Sequence, residues 1–186
     1  SRLGDLYIND AFGTCHRDHA SPALIAKYFP NEKYVGKLLQ KELEAISQIA
    51  EHGEKPVLAI LGGAKVSSKL NILYNLIKKV DKIIIGGGMA YTFIAAQGGK
   101  IGESLIEGDL IENAKEILEI ANSLSKEIIL PDDVKASTDF DQNDLIKTFD
   151  SNKIENGWMG LDIGTKTIEK FNQAILSSKT IFWNGP

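Results

Sequence analysis

The sequence predicts a three-layer α/β fold in which helices cover both faces of a parallel β-sheet. Three observations carry the prediction. Runs of strand length, rich in Val, Leu and Ile, occur at 57–61 and 80–85. Each ends in glycines, Gly62-Gly63 in the first case and Gly86-Gly87-Gly88 in the second. Helical patterning follows each turn, and strands that alternate with helices build parallel sheets buried on both sides.

Bulk properties narrow the class. The 186 residues suffice for one sizeable core and part of a second. Hydrophobic content of 43% and charged content of 25% are ordinary for a soluble globular protein. A net charge of −4 and a pI of about 5.4 argue against general nucleic-acid or membrane-surface binding. One cysteine, Cys15, excludes an internal disulfide and fits a reducing, cytoplasmic setting. The longest weakly polar run, 83–96, is broken by glycines and is too short to span a bilayer. There is no signal-peptide pattern. The chain opens on Ser1 and stops on Trp-Asn-Gly-Pro186, so a fragment is expected.

In chain order, 5–9 alternates and is rich in β-formers, so it predicts a strand. A polar loop follows, 10–22. Positions 23–35 are mixed, with Pro30 and Asn31 as breakers. The apolar stripe Leu39, Leu43, Ile46 and Ala50 predicts a helix over 37–51, stopped by Gly53. Strand 57–61 leads to a helix over 65–79, on the spacing of Val66, Leu70, Leu73 and Ile77. Strand 80–85 leads to a helix from Met89 to about Ala96. A further helix spans roughly 109–124. Strands are expected at 127–130 and, as a short extended piece, at 134–137. Residues 138–157 are polar and poorly patterned. An apolar segment, 158–163, precedes a helix to Leu176 that Thr165 can cap. The last strand is 180–183.

The first glycine turn carries the chemistry. Lys65 and Lys69 fall four apart in the first turns of the expected helix, where they share a face and oppose the helix dipole. An anion at the turn, held by free backbone N–H groups and both ammoniums, resolves that conflict. The sequence is not a Walker A loop, and neither glycine turn matches Gly-x-Gly-x-x-Gly. The triple glycine 86–88 is read equally as close packing or as ligand contact, since ligands of doubly wound sheets sit at the carboxyl ends of strands. In the loop 15–19, a Cys–His nucleophilic pair or a zinc site from Cys15, His16 and His19 has little support. Arg17 is the better candidate there, as a fork-shaped donor to carboxylate or phosphate, against a surface pairing with Asp18 or Asp10. Asp132 and Asp133 could bind a metal, but a solvated turn is the favoured reading. No Gly-x-Ser-x-Gly or paired His/Asp arrangement supports serine hydrolase chemistry.

Five segments, taken together and in order, resemble the phosphoglycerate kinase family. They are 9–17 (Asn-Asp-Ala-Phe-Gly-Thr-Cys-His-Arg), 61–69 (Leu-Gly-Gly-Ala-Lys-Val-Ser-Ser-Lys), 85–90 (Ile-Gly-Gly-Gly-Met-Ala), 158–164 (Trp-Met-Gly-Leu-Asp-Ile-Gly) and 183–186 (Trp-Asn-Gly-Pro). The resemblance covers essentially the whole chain and less than half of a full-length member. It implies a Rossmann-like nucleotide domain, incomplete at its C-terminal side. Residues 1–35 resemble the end of an N-terminal substrate-binding domain, 36–52 the interdomain helix about which two lobes close, and 53–186 a truncated nucleotide-binding domain.

The implied activity is reversible phosphoryl transfer from 1,3-bisphosphoglycerate to ADP, giving 3-phosphoglycerate and ATP in glycolysis, with Mg2+. By position, Arg17 resembles the substrate-binding arginine, Lys65 the lysine that meets the transferred phosphoryl group, and Lys69 the one that holds nucleotide phosphates. Gly63, Ala64, Gly87, Gly88, Gly160 and Asn184 resemble positions around the nucleotide. The full-length protein is expected to be a monomer, without nucleic-acid or membrane partners. Cys15 and Thr165 depart from the family pattern, where a small residue and Pro are usual. Most of the basic substrate patch is expected upstream of Ser1, and the metal-binding Asp beyond Pro186. The isolated chain is therefore expected to lack kinase activity and to expose a hydrophobic sheet edge. The alternatives are a non-catalytic nucleotide-binding module and a structural or interaction protein on the same layered fold.

Overall fold

A computed structural model describes residues 4–15, 17–140 and 145–185, with the backbone alone for 45–52. The chain divides into two compact units, Ser1–His52 and Gly53–Pro186. In the first unit, strand β1 (Tyr7–Asn9) pairs in parallel with β2 (Lys33–Val35), a strand that Pro30 and Asn31 hid in the sequence. Helix α1 (Lys37–His52) follows. Asp10 caps it from a distance: its Oδ1 accepts the N–H groups of Leu38 (2.7 Å) and Leu39 (2.9 Å).

The second unit contains β3 (Val57–Leu61), α2 (Leu70–Leu76), β4 (Lys82–Ile85), α3 (Met89–Ala96), β5 (Lys100–Ile101), α4 (Ile111–Ser123) and β6 (Glu127–Ile129). These are followed by β7 (Asp133–Ser137), β8 (Ile146–Asp150), β9 (Lys153–Ile154), β10 (Met159–Ile163), α5 (Thr165–Leu176) and β11 (Thr180–Asn184). The central sheet is parallel throughout, in the order β11-β3-β4-β6. Side chains alternate between its faces. Val57, Ala59, Leu61, Ile83 and Ile85 bury one face against α2, α3 and α4, through Leu73, Ile77, Phe93 and Ile117. Leu58, Ile84 and Ile129 bury the other against α5, through Ala174 and Phe171.

Connectivity explains this layering. The steps β3 to β4 and β4 to β6 advance in one direction, so right-handed crossovers keep their helices on one face. The return to β11 runs the other way and puts α5 on the opposite face. The reversal makes the carboxyl ends of β3 and β11 a topological switch point, where open α/β sheets leave a crevice for ligands.

Several elements differ from expectation. Helix α2 has seven residues rather than fifteen. Residues 62–69 form an irregular loop, because serine hydroxyls compete there with helical hydrogen bonding: Ser68 Oγ donates to the Lys65 carbonyl (2.8 Å). Lys65 therefore lies outside the helix and Lys69 at its N-cap, so the two lysines share no helix face. The polar stretch 138–157 contains β8 and β9. β7, β8 and β10 form an antiparallel sheet of their own, in the order β10-β7-β8. Thr165 is not the cap of α5; Gly164 is, without a side-chain bond. The capping oxygen comes from Asp133, whose carboxylate accepts the N–H groups of Thr167 (2.8 Å) and Lys166 (3.2 Å). That carboxylate is buried and its oxygens accept from Lys166 and Thr167, so Asp133 is not part of a solvated turn. Asp132 pairs with Lys170 (2.6 Å) at the surface. No described helix is long and apolar enough to cross a membrane.

Candidate nucleotide site at the carboxyl edge of the sheet

Three glycine turns meet at the switch point. The Gly62 N–H donates to the Asn184 carbonyl (3.3 Å), Gly86 N–H to the Leu61 carbonyl (2.9 Å), and Met89 N–H to the Gly63 carbonyl (3.0 Å). Gly87 has φ +66°, and a Cβ there would lie 2.8 Å from the Gly63 oxygen. Gly185 has φ +133°, and its Cβ would run into the Gly62 backbone. Close backbone approach thus accounts for glycine at 87 and 185 directly. Gly88 packs beside Ala64 and the side chain of Leu105.

The lysine loop is fixed from two sides. Lys69 Nζ donates to Asn184 Oδ1, which ties the loop to the end of β11. Glu107 accepts the Ser67 N–H (2.9 Å) and hydroxyl (2.6 Å), and its own N–H is held by Thr92 Oγ1 (3.2 Å). These bonds from Ser67, aided by the Lys65 charge, outweigh desolvation and hold the Glu107 carboxyl below the usual range. Lys65 makes no ion pair with a described residue. Lys65 and Ala64 are exposed and Gly63 is half-buried. Positive charge at this turn comes from the lysine side chains rather than from a helix end, since α2 is short and begins only after both lysines.

Beside the phosphate-like corner lies apolar surface. Gly160 N–H donates to Ser104 Oγ (2.9 Å), which joins β10 to the turn before Leu105. The pairing of β10 with β7 shifts register between Gly160 and Asp162, leaving Leu161 as the extra residue of a bulge, a device that re-aims side chains. Leu105 and Leu161 each follow one member of the Ser104–Gly160 bond, and both are exposed. On the α5 face, a cavity of about 400 Å³ is floored by Ile60 and Ile84, rimmed by Gly62, Gly86 and Gly87, and walled by Asp162, Phe171 and Trp183.

A family model described as Phosphoglycerate kinase matches residues 1–186. The chain belongs to the phosphoglycerate kinase family. It is 51% identical over 185 residues to phosphoglycerate kinase of Campylobacter lari, covering 99% of this chain and 46% of that protein. It is 49% identical over 185 residues to that of Aliarcobacter butzleri, with 46% of that protein covered. The structure of phosphoglycerate kinase from Coxiella burnetii superposes with a TM-score of 0.85 at 36% identity, over 98% of this chain and 46% of that one. The Pyrococcus horikoshii phosphoglycerate kinase gives 0.76 at 26% identity, over 97% and 46%. The chain thus spans about half the length of the relatives it matches.

Of the residues singled out in the sequence, Gly63, Ala64, Lys65, Lys69, Gly87, Gly88, Gly160 and Asn184 all fall in the second unit, at the ends of β3, β4 and β11 or on β10. Arg17 falls in the first unit. It is exposed, its N–H donates to the Thr14 carbonyl (3.0 Å), and it pairs with neither Asp18 nor Asp10. Cys15 is a free thiol, and His16 lies outside the described residues. The described residues contain no group of three or more His, Cys, Asp or Glu that could hold a metal ion. Sequence reasoning missed Glu107, Leu105 and Leu161. Only the Trp158–Gly164 motif, which contains Leu161, offered any signal, because the partnerships of these residues are long-range.

Proposed function

We propose that this chain supplies the nucleotide side of a phosphoglycerate kinase, which transfers a phosphoryl group reversibly between 1,3-bisphosphoglycerate and ADP, giving 3-phosphoglycerate and ATP. The observation that carries the reading is the union of three glycine turns and two lysines at the sheet's switch point, with Lys69 tied to Asn184. Phosphoryl transfer asks a protein mainly to position reactants and to neutralise spreading negative charge. Lys69 and Asn184 hold the nucleotide phosphates. Lys65, in no ion pair with a described residue, meets the oxygens of the group in transfer. Gly63, Ala64, Gly87 and Gly88 let the ligand approach backbone, and Leu105 with Leu161 flank a flat apolar base. Arg17 serves the phosphoglycerate in the other unit.

Magnesium supplies charge neutralisation when it accompanies the nucleotide. The described residues do not fit a protein cage for it, so the metal belongs with the phosphates rather than with a cluster on this chain. Titration calorimetry with ADP tests the reading: saturable binding is expected, and heat-free titration would overturn it. A coupled kinase assay on the same chain is expected to show no turnover, since half of the relatives' length contributes no residue here.

A further inference from the structure

Asparagine followed by glycine occurs twice, at 156–157 and at 184–185. The second pair is held by its neighbours. Asn184 pairs with Leu61 in the ladder of β11 and β3, its Oδ1 accepts from Lys69 Nζ, and a Cβ at Gly185 would run into the Gly62 backbone. Asn156 and Gly157 are exposed and form the corner between β9 and β10. The Trp158 N–H donates to the Glu155 carbonyl (3.2 Å). φ is +82° at Gly157 and not positive at Asn156, so residues 155–158 make a type II turn. Neither the Gly157 N–H nor the Asn156 side-chain amide makes a hydrogen bond to a described residue. A Cβ at 157 would meet nothing within 4 Å. The central peptide of the turn carries the Gly157 nitrogen, and its rotation is what interconverts type II and type I turns. That rotation changes ψ of Asn156, the angle that sets how far this nitrogen stands from Asn156 Cγ.

We propose that Asn156 is a site of spontaneous deamidation, and that its isoaspartyl product loosens the start of β10. The Gly157 nitrogen attacks Asn156 Cγ and the Cγ–Nδ2 bond breaks. The proton of the attacking nitrogen passes through solvent to the leaving group, which departs as ammonia, and a succinimide remains. Water then opens the ring. Cleavage between Cγ and the Gly157 nitrogen gives aspartate. Cleavage between the α-carbonyl carbon and that nitrogen gives isoaspartate, whose main chain is one carbon longer. Nothing is oxidised or reduced, and the sum is one water taken up and one ammonia released. Either product sets a carboxylate next to Glu155, which pairs with Lys147 (3.1 Å). The isoaspartyl product also lengthens a turn with little slack. A Cβ at Gly102 would fall on the Trp158 and Glu155 carbonyl oxygens, and the Glu103 N–H donates to the Trp158 carbonyl (2.8 Å).

The test is peptide mass mapping of the chain held at mildly alkaline pH. Cleavage after lysine gives 154–166 and 180–186, each with a single asparagine. The first should gain the mass difference between an amide and an acid and separate into two products of equal mass, aspartyl and isoaspartyl. An exposed turn opens at little cost, so conversion at 156 should run within about tenfold of its rate in the urea-unfolded chain, while 180–186 should convert at least about tenfold more slowly folded than unfolded. Conversion at 156 in the unfolded chain alone overturns the proposal, as does equal conversion of the two peptides in the folded chain. Asn156→Gln, whose side chain is one carbon too long for the five-membered ring, should remove the mass gain from 154–166, and a gain that persists overturns the assignment. In the isoaspartyl chain the Glu103 amide should exchange its hydrogen faster than in the unconverted chain, and equal exchange overturns the loosening.

Discussion

At Gly164 and at Gly62-Gly63 the chain leaves a strand, turns on glycine and enters a helix, and in both places a distant acid reaches in. The outcomes differ. Before α5, the Asp133 carboxylate is buried among the N–H groups of Lys166 and Thr167 and the Thr167 hydroxyl (2.8 Å), so the protein's own anion occupies the junction. Before α2, Glu107 stays near the surface and accepts from Ser67, while Lys65, whose charge helps to hold that carboxyl down, makes no ion pair with a described residue. A junction sealed by an internal anion is structural. One that is braced but left with surplus positive charge is suited to a ligand. The two can be told apart only by where the acid sits, because both are glycine turns in the sequence.

The sealed junction gives the largest expected effect. Asp133→Ala should cost about 2–4 kcal/mol of stability, since it strands buried donors, while leaving nucleotide affinity within about twofold. Urea unfolding monitored by circular dichroism measures the first and ADP titration the second. A loss below about 0.5 kcal/mol would contradict the sealed-junction reading. The pH dependence has a definite sign. Burial tends to raise the Asp133 pKa, but the bonds from Thr167 and Lys166 with the Lys166 charge more than reverse this, leaving it below 3.8. A carboxylate depressed in the folded state stabilises fully above its unfolded value and loses that contribution as pH falls through the folded one. Asp81, held down first by the Val57 N–H, and Glu107 act in the same direction. Unfolding below about pH 4 should therefore be shallower in Asp133→Asn than in the unmodified chain.

The open junction depends on glycine packing more than on glycine freedom. Gly87→Ala should cost about 2–3 kcal/mol, combining positive φ with a clash against the Gly63 carbonyl. Gly86→Ala, one residue earlier, meets nothing within 4 Å and has no positive φ. Its cost should stay below about 0.5 kcal/mol. Equal losses at the two positions would mean that the turn-to-turn contact is not what glycine serves.

This contrast also shows what the sequence could reveal. Period and punctuation located β3, β4, α3 and the alternation of layers, because those signals are local. The turn glycines and both lysines were legible for the same reason. The length of α2 was not: Val66, Leu73 and Ile77 keep helical spacing and are all buried, yet Ser67 and Ser68 divert the first turns. Thr165 looked like a cap because the sequence cannot show Asp133, over thirty positions away, already filling the place. Glu107, forty positions from Ser67, escaped notice likewise. β8 was hidden because only one of its five residues, Phe149, is buried, so no alternation was printed.

The two lysines should separate by ligand. Lys69→Ala is expected to weaken ADP and ATP alike by about 1–2 kcal/mol, roughly five- to thirtyfold, the range for a charge-assisted hydrogen bond at a partly open site. Lys65→Ala should leave ADP within about threefold and weaken ATP more, because only ATP carries the group that Lys65 is proposed to meet. Titration of each variant with both nucleotides decides it. Identical profiles for the two variants would remove the division of roles. Rising salt should shrink both effects, since neither ammonium is deeply buried.

The smallest effect probes the brace. Glu107→Gln keeps the side chain's length and one carbonyl acceptor for Ser67, but replaces the other oxygen by an amide and removes the negative charge. One of the two bonds from Ser67 should weaken, costing about 0.5–1 kcal/mol of stability at an exposed site. Nucleotide affinity has two opposed contributions. A looser loop places Lys65 less well, yet loss of a neighbouring carboxylate strengthens the positive potential that an anion meets. Salt dependence separates them, because screening weakens the charge contribution and leaves the loop geometry alone. At low ionic strength the variant should therefore approach or exceed the unmodified chain in ADP affinity, and at high ionic strength it should fall below it. A constant ratio across salt would mean that Glu107 acts by geometry only. In that case its charge has no bearing on why this junction, unlike the one before α5, stays open to an anion.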